Sequence, residues 1–316
     1  MSRSTLAGSA PAIRRSRQER ERGQMLVIFA LALVALVGMV GLIIDGGDSF
    51  LQRRDQQNVA DAAAMAAGYA SVNGQDPTAV AKTVAAANGY TDGVNGATVT
   101  VTVTSSAITV DVSKPHQNYF SGVMGFSSWG VSTTASVQAG TPNAAYNPMP
   151  LIFNKKAFNN SANKNSNAPA PFDEPGSGNV DVPQTSTTFN WTIFCTANGN
   201  PCNANSSGVR AIIDNNGTGT TIYIDDLIGP LNNGAHTTLF SALSAAVGQS
   251  FPVAIVDDLG AVQGWATFHL TGSVGGSTKQ ISGWFDDGIN ASTMVIAAGH
   301  GQALGTFGSY SVKLTN

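Results

Sequence analysis

Met25 to Ile44 reads MLVIFALALVALVGMVGLII, twenty residues without one polar side chain. At about 1.5 Å per residue, such a helix is about 30 Å long, the thickness of a bilayer's hydrocarbon core. A helix buried in a soluble domain is rarely apolar all round for so long. A secretory signal peptide is the rival reading, but its apolar region is shorter, about 7–15 residues, and ends near a small-x-small cleavage site. Here the run is longer and meets Asp45-Gly46-Gly47-Asp48. The expectation is an uncleaved span with boundaries at Met25 and Ile44, embedded in membrane lipid.

Charge gives the span a direction. Residues 1–24 carry six arginines against Glu19 and Glu21, a balance of +4, whereas residues 45–316 carry a balance of −7. By the positive-inside rule the N-terminus is expected in the cytoplasm and nearly everything after residue 45 outside it. Only 11% of all residues are charged, against roughly 25% in soluble globular proteins, and 35 glycines with abundant Asn, Ser and Thr take their place. That profile speaks against a nucleic-acid partner and against a typical cytosolic enzyme.

Cys195 and Cys202 are the two cysteines of the chain. Outside the cytoplasm two thiols so close in sequence are normally oxidised, and a short loop with Asn-Gly and Pro can bring their Cα atoms together. Free thiols are the alternative. A metal site would want further ligands, and no His lies within thirty residues of the pair.

The expected architecture is α+β: an N-terminal transmembrane helix with a helical extension, a small α+β module, then a mostly antiparallel β domain. Residues 1–22 form a basic cytoplasmic tail with no apolar periodicity, expected to be unstructured. Residues 23–70 hold the span and an extension rich in Ala, Gln and Arg, all good helix formers. Gly46-Gly47 is expected to break or loosen the helix at the membrane exit. Beyond it one face turns small and apolar, and Ala62, Ala63, Ala66 and Ala67, at i, i+4 spacing, are expected to pack against other helices. In residues 71–139, Asp76-Pro77 opens a second helix that Asn88-Gly89 closes. Alternating Val and Thr over 98–104, and Ile108, Val110 and Val112 after a turn, predict a half-buried hairpin. A short helix is expected over 118–126 and a third strand over 131–137. Residues 140–187 read as linker and polar loop, and residues 188–316 as the mainly β exported domain, with one helix from His236 to Val247.

The stretch from Arg22 to Ala70 resembles the N-terminal signature of TadE/TadG-like Flp pilus-assembly proteins. Carrying the resemblance are Arg22-Gly23-Gln24 against the span, the exit at Gly41-Leu-Ile-Ile-Asp45, the Arg53-Arg54 pair, Gln57-Asn58, and Ala60-Asp-Ala-Ala-Ala-Met-Ala-Ala67. It implies a single-pass protein of the bacterial inner membrane that anchors or helps assemble a Flp/Tad-type pilus, with other Tad pilus-assembly membrane proteins as partners. Gly46-Gly47-Asp48 is less regular than the family's usual exit, and Val59 stands where a small residue is usual. A processed pilin would be cut after Gly23 and carry Glu at its fifth mature residue, where this chain has Ile28. The metal site of a von Willebrand A module needs Asp-x-Ser-x-Ser, and Asp111-Val-Ser-Lys-Pro115 lacks the second Ser.

No catalytic, cofactor-binding or metal-ligating set emerges. His116, His236, His269 and His300 lie far apart in sequence, and no nucleophile elbow or phosphate loop occurs. Three Asp pairs, Asp225-Asp226, Asp257-Asp258 and Asp286-Asp287, follow predicted strands. They fit hydrated turns, with calcium binding as the sharper alternative. Trp191, Trp265 and Trp284 fit a core, or a carbohydrate platform. The expected role is therefore non-catalytic, with no small-molecule substrate. A membrane-tethered adhesion protein, recognising carbohydrate or matrix through its β domain, is the second reading.

Overall fold

A computed structural model describes residues 13–104, 107–175, 182–195, 204–231, 234, 236–289 and 293–315. Helix α1 runs unbroken from Ile13 to Val72, and helix α2 from Pro77 to Ala87. Gly46-Gly47 does not interrupt α1, and a side chain at either glycine would meet nothing within 4 Å. The exit glycines are thus helical residues in open surroundings, not a hinge. Ten residues of the expected tail, 13–22, are the first turns of the same helix. At α2 the sequence signals act as expected: the Asp76 side chain accepts from Thr78 N–H at 2.9 Å, Pro77 takes the first turn, and Asn88 caps the end.

The fold is α+β with mostly antiparallel sheets. Strand β1 (Thr98–Val103) and strand β2 (Ile108–Ser113) form the expected hairpin, and Ser132–Gly140 adds to β2. Next to it lies Ser309–Leu314, antiparallel, and then the short parallel strand Gly288–Ile289. The inward face of this first sheet carries Val99, Val110, Val112, Ala135, Val137 and Val312. Over it lie α2, through Ala81 and Ala85, and the second half of α1, through Val59, Ala60, Ala63, Ala64 and Ala67. Alanine at this spacing lets the helix backbone come close to the sheet. Gly68 marks the tightest approach, where a Cβ would sit 2.7 Å from Val312 Cγ1. The boundaries expected at 70 and 139 therefore cut through one packed unit.

The second sheet has seven strands. Their order is Leu227–Pro230, Phe189–Cys195, Leu151–Asn154, Ser250–Val256, Val262–Val274, Gln280–Asp286 and Ala170–Asp173. Only Leu151–Asn154 against Ser250–Val256 is a parallel pair. Both faces of the central strands are covered, so Leu151 to Asn154 and Phe251 to Val256 are buried without alternation. One face meets a core of Phe153, Phe172, Phe189, Phe268 and Phe285 under the helices Ser206–Asp214 and Thr237–Leu243. The other face, with Ile152, Ala254, Val256 and Trp265, meets a three-stranded sheet of Ala144–Tyr146, Thr221–Tyr223 and Met294–Val295. The expected linker over 140–187 is corrected here: it supplies three strands, Ala144–Tyr146, Leu151–Asn154 and Ala170–Asp173. These segments are too short to stand out in a stretch otherwise dominated by Asn, Ser and Pro.

Candidate functional site

Among the described residues, α1 is the one helix long and apolar enough to cross a membrane. A single stripe along it changes character in three stages. At Gly41 the helix is bare: a Cβ there would lie 2.4 Å from the Cβ of Phe120. From Asp45 to Gln56 the stripe is polar. From Val59 onward it is small and apolar and becomes the core of the first sheet.

The polar stage grips the segment that follows β2. Asp45 is fully buried at the end of the apolar run, and a carboxylate there needs donors. It has three from the backbone: the N–H groups of Tyr119 at 2.9 Å, Phe120 at 3.1 Å and Ser121 at 2.6 Å. Two turns further on, Gln52 donates to the carbonyl of Lys114 at 2.7 Å, and its amide oxygen lies 3.0 Å from His116 Nδ1. Gln56 donates to the same carbonyl at 3.0 Å. Asp55 accepts from the Tyr90 hydroxyl at 2.8 Å, and burial, helped by that bond, pushes the phenol well above its ordinary range. The arrangement is a collar: residues 114–121 are tied, mostly by backbone groups, to one face of α1 where it leaves the apolar run. The expected helix over 118–126 is a single 3-10 turn, Ser121–Met124, inside this segment. A buried carboxylate bonded to backbone N–H groups holds a loop in place and offers no free group for catalysis.

Of the four alanines expected to form a packing face, Ala63 and Ala67 are fully buried, Ala66 is half-buried and Ala62 is exposed. The surface that Ala63 and Ala67 meet is this chain's own sheet and α2. Met25 is exposed, and Ile44, beside the buried Asp45, is also largely exposed, as a lipid-facing helix would be. Cys195 ends its strand, and Cys202 lies outside the described residues.

The remaining candidates have local partners. Asp257 accepts from Leu259 and Ala261 N–H groups, and Asp258 pairs with Lys156 at 2.8 Å. Hydrogen bonds from Lys156 and Asn154 hold the Asp258 carboxyl below its usual range. Asp225 meets His300 at 2.9 Å, Asp226 accepts from Tyr223 N–H, Asp286 from Trp284 Nε1, and Asp287 lies 3.6 Å from Lys164. Among the described residues, no three His, Cys, Asp or Glu side chains gather as metal ligands. Trp191 and Trp265 are buried, while Trp284 is half-buried and stacks on His269 with centroids 4.0 Å apart.

Folding also brings together Ser250, His269 and Asp286, a set that sequence spacing could not reveal. Ser250 Oγ lies 2.9 Å from His269 Nδ1 and donates to Asp286 at 3.3 Å. In a catalytic triad the acid bonds the far nitrogen of the histidine. Here it bonds the serine, and among the described residues no acid orients the imidazole as a base.

Residues 23–76 match the family model described as TadE/G-like Flp pilus assembly. The matched segment begins two residues before the apolar run and ends on the Asp76 cap of α2. It contains Gly41, Asp45, Gln52, Gln56 and the alanine face, all of the α1 side of the collar. No curated protein and no solved structure matches the chain.

Proposed function

We propose that this chain is a single-pass membrane protein that anchors or helps assemble a Flp/Tad-type pilus, working as a non-catalytic structural element. The observation that carries the reading is that the family-matched segment is at once the candidate span and the central helix of the first sheet. An anchor built as one helix, tied at its exit by Asp45, passes force and orientation from membrane to folded region without a loose tether. The Arg-rich tail is cytoplasmic, residues 45–316 lie outside the inner membrane, and Cys195 is bridged to Cys202 in that oxidising setting. Partners are other Tad pilus-assembly membrane proteins, with lipid around Met25–Ile44, and neither nucleic acid nor a small-molecule substrate has a role.

The test is a deletion strain complemented with the wild-type chain or with Asp45→Ala at equal protein level, scored for assembled pili. Loss of pili on deletion, with poor rescue by the variant, is expected. Normal pili in the deletion strain, with adhesion to carbohydrate or matrix lost, would favour the tethered adhesion protein instead. Reporter fusions before Met25 and after Ile44 check orientation. Alkylation of both cysteines without reductant, in protein taken from the envelope, would refute the bridge.

A further inference from the structure

The collar holds against α1 a segment that is strongly apolar where it should be wet. Asn118 to Trp129 has no charged residue. Tyr119 is 70% exposed, Val123 89% and Phe126 62%. These side chains do not cover the folded sheets. They lie beside the apolar run, and with Val34, Gly38 and Leu42 of α1 the residues Phe120, Val123 and Phe126 line a groove of about 760 Å³. Val34 stands eleven residues before Asp45, so at about 1.5 Å per residue the groove reaches about 16 Å down from the helix exit. That is about half of a hydrocarbon core about 30 Å thick.

A loop at that depth must satisfy its own backbone, because hydrocarbon offers no partner. This one largely does. Asp45 takes the N–H groups of Tyr119, Phe120 and Ser121. Val123 N–H donates to the Phe120 carbonyl, Gly125 N–H to Gly122, Phe126 N–H to Ser121 and Asn118 N–H to Ser127. The Asn118 side chain donates to the Phe126 carbonyl at 2.8 Å. In water this apolar surface would be costly.

We infer that residues 119–126 enter the outer half of the bilayer beside α1 and that a phospholipid acyl chain fills the groove between them. The inference rests on Met25–Ile44 spanning the membrane, since the groove continues that lipid-facing surface. The loop doubles the footprint of the anchor in one leaflet and fixes its rotation and depth, which a lone helix leaves free. Asp45 then acts as the latch whose buried carboxylate holds the loop amides at the membrane boundary.

The full chain reconstituted in phosphatidylcholine–phosphatidylglycerol vesicles tests this with nitroxide labels at Val123→Cys, Tyr119→Cys and Leu36→Cys, each corrected for label on the parent chain. Val123 and Tyr119 are exposed, so the substitutions leave packing intact. The Val123 label should favour molecular oxygen over a water-soluble nickel chelate as strongly as the Leu36 label, with Tyr119 shallower. A Leu36 label in lipid with the Val123 label in water overturns this inference alone. Both labels in water overturn the spanning segment itself. Phospholipids carrying a diazirine on the acyl chain should crosslink to residues 120–126. Crosslinks from a photoactivatable side chain at Val123 to a second copy of the chain, in place of lipid, would overturn the lipid assignment.

Discussion

The two sheets of this protein are stabilised by opposite means. The first rests on valine and alanine, and Tyr90 is the one aromatic side chain among its core residues. The second closes over a cluster of rings in which Phe153 meets Phe172, Phe189, Phe268 and Phe285 at centroid distances of 4.9 to 6.2 Å. Rings bury much surface each and tolerate a wide gap between layers, whereas alanine buries little and works only if backbones touch. The difference separates two tasks. The second sheet, distal in the chain to α1, holds itself together by buried area, while the first, proximal one fixes the position of a single helix against the folded region.

The comparison is broken most severely at the rings. Phe153→Ala should destabilise the distal sheet by about 3–5 kcal/mol, seen as a lowered urea midpoint in detergent, while amide exchange over β1 and β2 stays slow. If both sheets open together, the two cores are one cooperative unit and the contrast is only chemical. In the proximal core the damaging change is addition. Ala63→Leu forces a larger side chain between α1 and the sheet and should cost about 1–3 kcal/mol, whereas Ala62→Leu, one residue away and exposed, should leave the midpoint nearly unchanged. Equal effects at the two positions would end the close-approach argument.

A finer test uses Gly68, whose added Cβ would press on Val312. Gly68→Ala should be destabilising, and Val312→Ala should relieve part of it, with a coupling of about 0.5–3 kcal/mol in a double-mutant cycle. Asp45→Ala should act locally, speeding exchange at Tyr119, Phe120 and Ser121 with both cores intact. Smallest of all is Lys156→Met on the rim of the distal sheet. The Asp258 carboxyl is depressed in the fold, so its pairing with Lys156 contributes at neutral pH and fades as pH falls through the folded value. The variant should differ only slightly from wild type at pH 7, because both partners are exposed, and the difference should shrink as pH falls through the acid range.

Local pattern made much of this legible. The Thr–Val alternation marks β1, the Asp76-Pro77 start marks α2, and the apolar string at 251–256 and the alternating residues at 310–314 mark strands where they occur. What stayed hidden depends on partners far along the chain. Nothing near Asp45 announces donors at residues 119–121, although a carboxylate abutting an apolar run signals that donors must exist. The small face of residues 59–70 reads equally well as a surface for another helix or for a sheet, and only the fold selects the sheet. The parallel pairing of Leu151–Asn154 with Ser250–Val256 is a long-range choice that residue spacing does not encode.

The strand Ser309–Leu314 gives the molecule an order in time. It seals the sheet of residues 98–140, yet in the chain it follows the whole distal fold, residues 141–308. While the chain is still emerging, the strand Ser132–Gly140 therefore waits with one edge open, and Gly68 waits without Val312 above it. A chain stalled part-way keeps that sticky edge and cannot finish the seat of its own anchoring helix. Completion of the first sheet is thereby made conditional on delivery of everything between, a built-in report that the chain has been made past residue 308.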